Sequence, residues 1–202
     1  MKKIPTLFER KFENHRIISI EPNLTPGCEC VLNGECTATV KWDGACCAVL
    51  DGIFYKRYDA KKGRAVPKNA IPCQKRPDPI TGHFPCWVRC SRDNPDDKWF
   101  WNAYDNYCAY YQLMCPPDGT YEAVGLHFRN NPYKCTTDTL KKHGTEPIMD
   151  FDVQTKPTFG KIRLFLASHN MEGIVFWKNG EPVCKIKRTD FGFSWNHTPK
   201  RI

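Results

Sequence analysis

The chain has no long apolar run: its longest uninterrupted stretches are a few residues, far below the roughly 20 that cross a bilayer. No membrane-spanning helix is expected. The opening MKKIPTLFERKF lacks the apolar stretch of a secretory signal, so the expected setting is soluble and cytoplasmic. There are 12 cysteines but no C-x2-C pair, the spacing on which most zinc knuckles are built, and Cys28-x-Cys30 is too tight for one. Without a secretion signal, reduced thiols buried as small hydrophobes are the default. Cys73, His83, Cys86 and Cys90, an H-x2-C-x3-C stretch after a further cysteine, are the alternative, a structural zinc site. Internal repeats and low-complexity tracts are absent. So is any acidic excess: 30 Lys plus Arg stand against 22 Asp plus Glu, a net charge of +8, with 13% aromatic residues. That balance suits a surface that meets phosphates and stacks on bases.

At 202 residues the chain is read as a single domain, long enough to bury a real core without disulfide or metal. Short β-prone runs alternate with turn signals in the first half: RIISI, then ECTATVKWDGACCAVLDGIFYKRY, where two DG pairs mark tight turns. Residues 61–98, rich in Lys, Pro, Gly and Asp, read as a long irregular excursion. KWFWNAYDNYCAYYQLM fits helical and strand spacing alike. DGTYEAVGLHF reads as a strand after a turn. Thr158 is placed to cap a helix through FGKIRLFLASHN, with Ile162, Phe165 and Leu166 on one face. MEGIVFW, a turn at Asn179 and Gly180, and PVCKIKR form an expected hairpin.

The quartet Lys41-Trp42-Asp43-Gly44 is weak alone, since K-x-D-G arises by chance and usually sits in a solvated turn. Its company is more telling: Arg57 and Arg64 follow it, then Glu122 in GTYEAVG, Glu172 in MEGIVFW, and Lys185 with Lys187 in CKIKR. This ordered set resembles the covalent nucleotidyltransferase superfamily of DNA ligases, RNA ligases and mRNA capping enzymes. The phrases GTYEAVG, NNPY, EGIVFW and KIKRTDFG are similar to the small RNA ligase 1 family.

The resemblance implies an α+β fold, an antiparallel-sheet adenylation domain of ligase type. Only residues 193–202 follow KIKRTDFG, too few for an OB-fold. It implies an ATP-dependent RNA ligase using ATP and Mg²⁺, with Mn²⁺ as a substitute ion. Its partners would be RNA ends bearing a 5′-phosphate and a 3′-hydroxyl; no membrane and no obligate protein partner are expected. Lys41 would attack the α-phosphate of ATP, which requires a deprotonated amine although free lysine titrates near 10.4. Lys185 and Lys187, two apart on a strand and therefore on one face with Ile186 turned to the core, would disfavour the ammonium of Lys41 and neutralise the phosphate. Asp43 would help orient Lys41 or a metal-bound water. Glu172 would hold the metal, and Gly173 would let the strand lie close to the nucleotide. Glu122 would bind the ribose hydroxyls. Arg57 would contact the ribose or the incoming 5′-phosphate, with Lys56 and Arg64 as alternatives. Phe151 is the expected adenine-stacking residue, and Glu35 a further base contact. The competing readings are a capping-type guanylyltransferase, a DNA ligase of the same superfamily, and a binding module descended from such enzymes.

Overall fold

The computed structural model describes residues 3–13, 16–61, 64–79 and 81–196. Along the chain the strands and helices begin with β1 (Phe8–Glu13), β2 (Arg16–Leu24), α1 (Glu29–Leu32) and β3 (Thr37–Lys41). Next come β4 (Ala45–Leu50), β5 (Ile53–Ala60), β6 (Ile71–Pro72), β7 (Phe84–Arg89), α2 (Lys98–Tyr111), β8 (Gly119–Val124) and β9 (Thr139–Lys142). The last are α3 (Phe151–Thr155), α4 (Phe159–Ser168), β10 (Gly173–Lys178) and β11 (Glu181–Lys187). Strands of one sheet pair antiparallel throughout, so the class is α+β. Among the described residues no helix is long and apolar enough to cross a membrane.

The chain divides into two compact units. Among the described residues, one is Asp43–His143 with Lys3; the other is Ile4–Trp42 with residues 144–196. Each is assembled from stretches separated in sequence, which is why composition marks no boundary between them.

The second unit holds a β11-β10-β3 sheet and the β1-β2 pair. Period-two alternation sorts the sheet's side chains. Ala38, Ile174, Phe176, Cys184 and Ile186 are buried in one core with Leu7, Phe8, Ile162, Phe165 and Leu166, and Val40 packs against it. α4 follows the expected pattern: the Thr158 hydroxyl accepts a hydrogen bond from Lys161 N at 3.3 Å, and Ile162, Phe165 and Leu166 form its buried face. β10 and β11 form the expected hairpin, with Asn179 and Gly180 both at positive φ, 51° and 77°, as a two-residue turn requires.

The first unit carries a six-stranded sheet in the order β6-β7-β5-β4-β8-β9. α2 covers one face: Phe100, Ala103, Tyr104 and Tyr107, at helical spacing, pack with Cys47, Val49, Phe54, Tyr121, Ala123 and Leu140. That settles the ambiguous segment as a helix. Its period was masked because Trp99, Tyr110 and Tyr111 stay exposed on the outside. Two expectations are corrected. Residues 61–98 are not wholly irregular, since β7 pairs along its length with β5. And only Asp51-Gly52 is a hairpin turn, joining β4 to β5; Asp43-Gly44 instead carries the chain between strands of different sheets.

Candidate active site

In the second unit, strand register puts Lys41 and Lys187 on either side of Gly173. Ile186 is fully buried, so Lys185 and Lys187 lie on the face opposite the core. Glu172, 6% exposed, immediately precedes Gly173 and reaches both lysines: Lys41 Nζ is 2.5 Å from Oε2, and Lys187 Nζ is 2.7 Å from Oε1. Burial pushes the Glu172 carboxyl up, but the charges and hydrogen bonds of Lys41 and Lys187 together outweigh it and hold the group below the ordinary range. Lys185 is lowered to about 8, first by burial and then by the charges of Lys41, Lys187 and Arg10. Among the described residues no carboxylate forms an ion pair with Lys185.

Gly173 is demanded by its neighbour strand. A Cβ there would sit 2.2 Å from the carbonyl oxygen of Ile186. The close approach expected toward a nucleotide is thus already made by the chain itself. Arg10 on β1 is a cation that the sequence reading missed. It pairs with Asp190 at 2.6 Å, and Asp190 also accepts from Lys187 N at 2.8 Å. The signal was slight: a lone Arg in FERKFE, whose partner lies 180 residues away.

In the first unit, Glu122 and Arg57 come together in one row. Glu122 on β8 is opposite Cys46 on β4, and the β4-β5 register continues that row to Arg57, which is opposite Trp87 on β7. Burial pushes the Cys46 thiol up to about 12, with the Glu122 charge adding to it. Tyr121 and Ala123 point to the α2 side and are buried there; Glu122 faces the other way with its side chain only 14% exposed, so it is not a solvent-edge carboxylate. Gly44 N–H donates to its Oε1 at 3.0 Å, and His143 Nε2 is 3.2 Å from Oε2.

Asp43 N–H donates to Tyr133 Oη at 2.6 Å, and Arg129 Nε–H donates to Gly44 O at 3.1 Å, with Arg129 Nε 3.9 Å from Asp43 Oδ1. The HFRNNPY segment therefore grips the second half of the K-x-D-G quartet. Tyr133 lies in the NNPY phrase, which carries the family resemblance without declaring this contact.

The remaining candidates lie elsewhere. Lys56 is on the α2 side of the sheet, 2.5 Å from the buried Asp97, and does not join Glu122. Arg64 is exposed in the loop after β5. Glu35 is tied to Lys178 at 2.5 Å. Phe151 opens α3 with its side chain 70% exposed, in the same unit as Lys41. The cysteines are free thiols. Cys90 lies in the core under α2, whereas Cys73 packs beside Tyr55 and Trp87, so these two thiols belong to different packing clusters. Among the described residues no three His, Cys, Asp or Glu side chains are grouped to hold a metal ion. A single carboxylate such as Glu172 still suits Mg²⁺, which keeps several waters and takes further oxygens from phosphates.

Cationic charge exceeds carboxylate charge around Lys41: Arg10, Lys41, Lys185 and Lys187 share Glu172 and Asp190. That excess suits an anion with several oxygens. No protein-family model matches the chain, and no curated protein matches it.

Proposed function

We propose that the protein is an ATP-dependent RNA ligase that forms lysyl-AMP on Lys41, passes AMP to an RNA 5′-phosphate, and joins that end to a 3′-hydroxyl with release of AMP. One observation carries the reading: the K-x-D-G lysine meets the EG-I-V glutamate, 131 residues later in sequence, and both K-x-K lysines in one cluster with excess positive charge. A solvated turn and an unrelated basic strand would have no reason to meet.

In this proposal the Lys41 amine attacks the α-phosphorus, a bond forms from Nζ, and pyrophosphate leaves. Attack needs the free amine of Lys41, its proton passing to solvent, and the ammoniums of Lys185 and Lys187 would neutralise charge on the α-phosphate. Lys185, lacking an ion-paired carboxylate of its own, would take phosphate oxygens. Lys187 would do the same as its pairing with Glu172 loosens. A bound Mg²⁺ would supply further neutralisation of the triphosphate, with Glu172 as its protein carboxylate.

The test is sealing. A pre-adenylated RNA offered without ATP should be joined to a 3′-hydroxyl end with release of AMP, and RNA with a 5′-hydroxyl should stay open because it has no phosphate to accept AMP. Labelling by GTP with transfer of GMP to a 5′-diphosphate end, and no sealing of any RNA, would put a capping-type guanylyltransferase in its place. Joining of DNA ends alone would point to a DNA ligase.

A further inference from the structure

No step of the proposed reaction uses Cys30 or Cys36, yet their sulfurs lie only 2.9 Å apart. The two residues flank the turn between α1 and β3, inside the unit that holds Ile4–Trp42. The backbone brings them together: Gly34 N–H donates to Val31 O at 3.0 Å, and Glu35 N–H donates to Cys30 O at 2.9 Å. Gly34 makes the reversal at φ +72°, where a Cβ would meet Thr155 O at 2.6 Å. The pair is thus held by a turn that fixes itself. A disulfide bond measures about 2.05 Å, so joining these sulfurs asks for less than about 1 Å of movement.

The two thiols are unequal. Cys36 is buried in the core with Ala38, Cys184 and Ile186, and its thiol donates to the Cys30 sulfur. Burial first, and then that hydrogen bond, push Cys36 up to about 12. Cys30 is only partly buried, so it is the sulfur that a small oxidant can reach, with Cys36 directly behind it. The Lys178 ammonium, paired with Glu35 at 2.5 Å, is close enough to both sulfurs for their charges to act on it. It supplies a cation beside the sulfur that must carry negative charge when it attacks. Cys28 and Cys184 also hydrogen-bond to each other, but both are fully buried and present no sulfur to solvent.

We propose that Cys30 and Cys36 are a reversible oxidation site that exchanges with a small-molecule disulfide of the glutathione disulfide class. The Cys30 thiolate attacks one sulfur of that disulfide, its S–S bond breaks, and one glutathione leaves as the thiolate. Cys36, its proton passing to solvent, then attacks the Cys30 sulfur. The mixed disulfide breaks, the second glutathione leaves, and Cys30 is joined to Cys36. Two protein thiols are oxidised, one disulfide is reduced to two thiols, and the two protons pass through solvent to the released glutathiones. The new bond ties α1 to the residue that precedes β3, the strand ending at Lys41.

The experiment equilibrates the folded protein with graded mixtures of reduced glutathione and glutathione disulfide, quenches with acid, alkylates the remaining thiols and maps linked peptides by mass. Wild type, Cys30→Ser and Cys36→Ser are compared, with thermal melts to show each folded. In wild type the Cys30–Cys36 link should form with about tenfold less oxidant than any other disulfide, because its sulfurs are already in place, and reductant should restore both thiols. Cys36→Ser lacks the second thiol, so a glutathione adduct should accumulate on Cys30 several-fold above its wild-type level. In Cys30→Ser, Cys36 should stay unmodified at the same ratios because it is buried. Should a variant not fold, the wild-type map alone decides. A first disulfide in folded wild type that joins other cysteines would overturn the proposal. So would a Cys30–glutathione adduct that persists in wild type, or Cys30 and Cys36 thiols that stay reduced at ratios where the exposed Cys115 carries glutathione.

Discussion

Lys185 is a side chain whose burial costs stability. Lys41 and Lys187 share Glu172, while Lys185 is lowered to about 8 by burial and by Lys41, Lys187 and Arg10 around it. An unfolded lysine keeps its proton to near 10.5, so between about 8 and 10.5 the unfolded chain binds more protons than the folded one. Stability from this group therefore rises with pH through that window, and its full penalty is present below it. Lys185→Met should raise the melting temperature at pH 7, by up to about 3 kcal/mol of stability, and the advantage should fade as pH approaches 10.5. Melts across pH 6–11 check this; a gap that does not change with pH would contradict it. Magnesium-ATP should in turn stabilise wild type more than the variant, because the anion relieves the cations it meets. Glu172→Gln leaves Lys41 and Lys187 without their common carboxylate and should slow AMP attachment at least ~10²-fold, the loss typical of one preorganised electrostatic contact.

At the scale of elements, Gly173 is the most exacting position in the β11-β10-β3 sheet. A methyl group there meets the backbone oxygen of Ile186 at 2.2 Å, and backbone cannot swing aside as a long side chain can. Gly173→Ala should cost about 1–3 kcal/mol through forced strand displacement and should also disturb the Lys41–Lys187 pairing, since the glycine lies between them in register. Gly180→Ala in the β10-β11 turn meets open space but keeps φ at +77°, so its penalty should be the smaller, about 1 kcal/mol from backbone strain. Denaturant melts of the two variants measure the difference, and equal losses would contradict it. Elements whose signals are local were legible in the sequence: the Asn179-Gly180 hairpin, the Thr158 cap and the Ile162, Phe165, Leu166 face. β7 was not, because Pro85 and the Lys- and Pro-rich run before it obscure the strand preference of Phe84, Trp87 and Val88. Only pairing with β5, more than 20 residues earlier, makes it one. The same holds within the site. Lys41, Glu172, Lys185 and Lys187 were legible as motifs, whereas Arg10 meets its partner Asp190 across 180 residues and leaves no local pattern.

Across the whole molecule, the surplus of eight positive charges is larger than the cluster of three lysines and one arginine, paired with two carboxylates, accounts for. A basic protein that grips an RNA backbone releases counterions, so RNA affinity should fall steeply between about 50 and 200 mM salt, while AMP attachment to Lys41, made at part-buried groups, should change much less. Binding titrations and labelling rates over one salt series separate the two; a parallel decline would mean that the charge surplus serves only the nucleotide. The most direct test of the central claim is the intact mass of the protein after incubation with ATP and Mg²⁺. The account predicts a gain of one AMP, removed by acid as a phosphoramidate is, mapped to Lys41 and absent from Lys41→Ala. An unchanged wild-type mass, or an adduct that persists in Lys41→Ala, would contradict it.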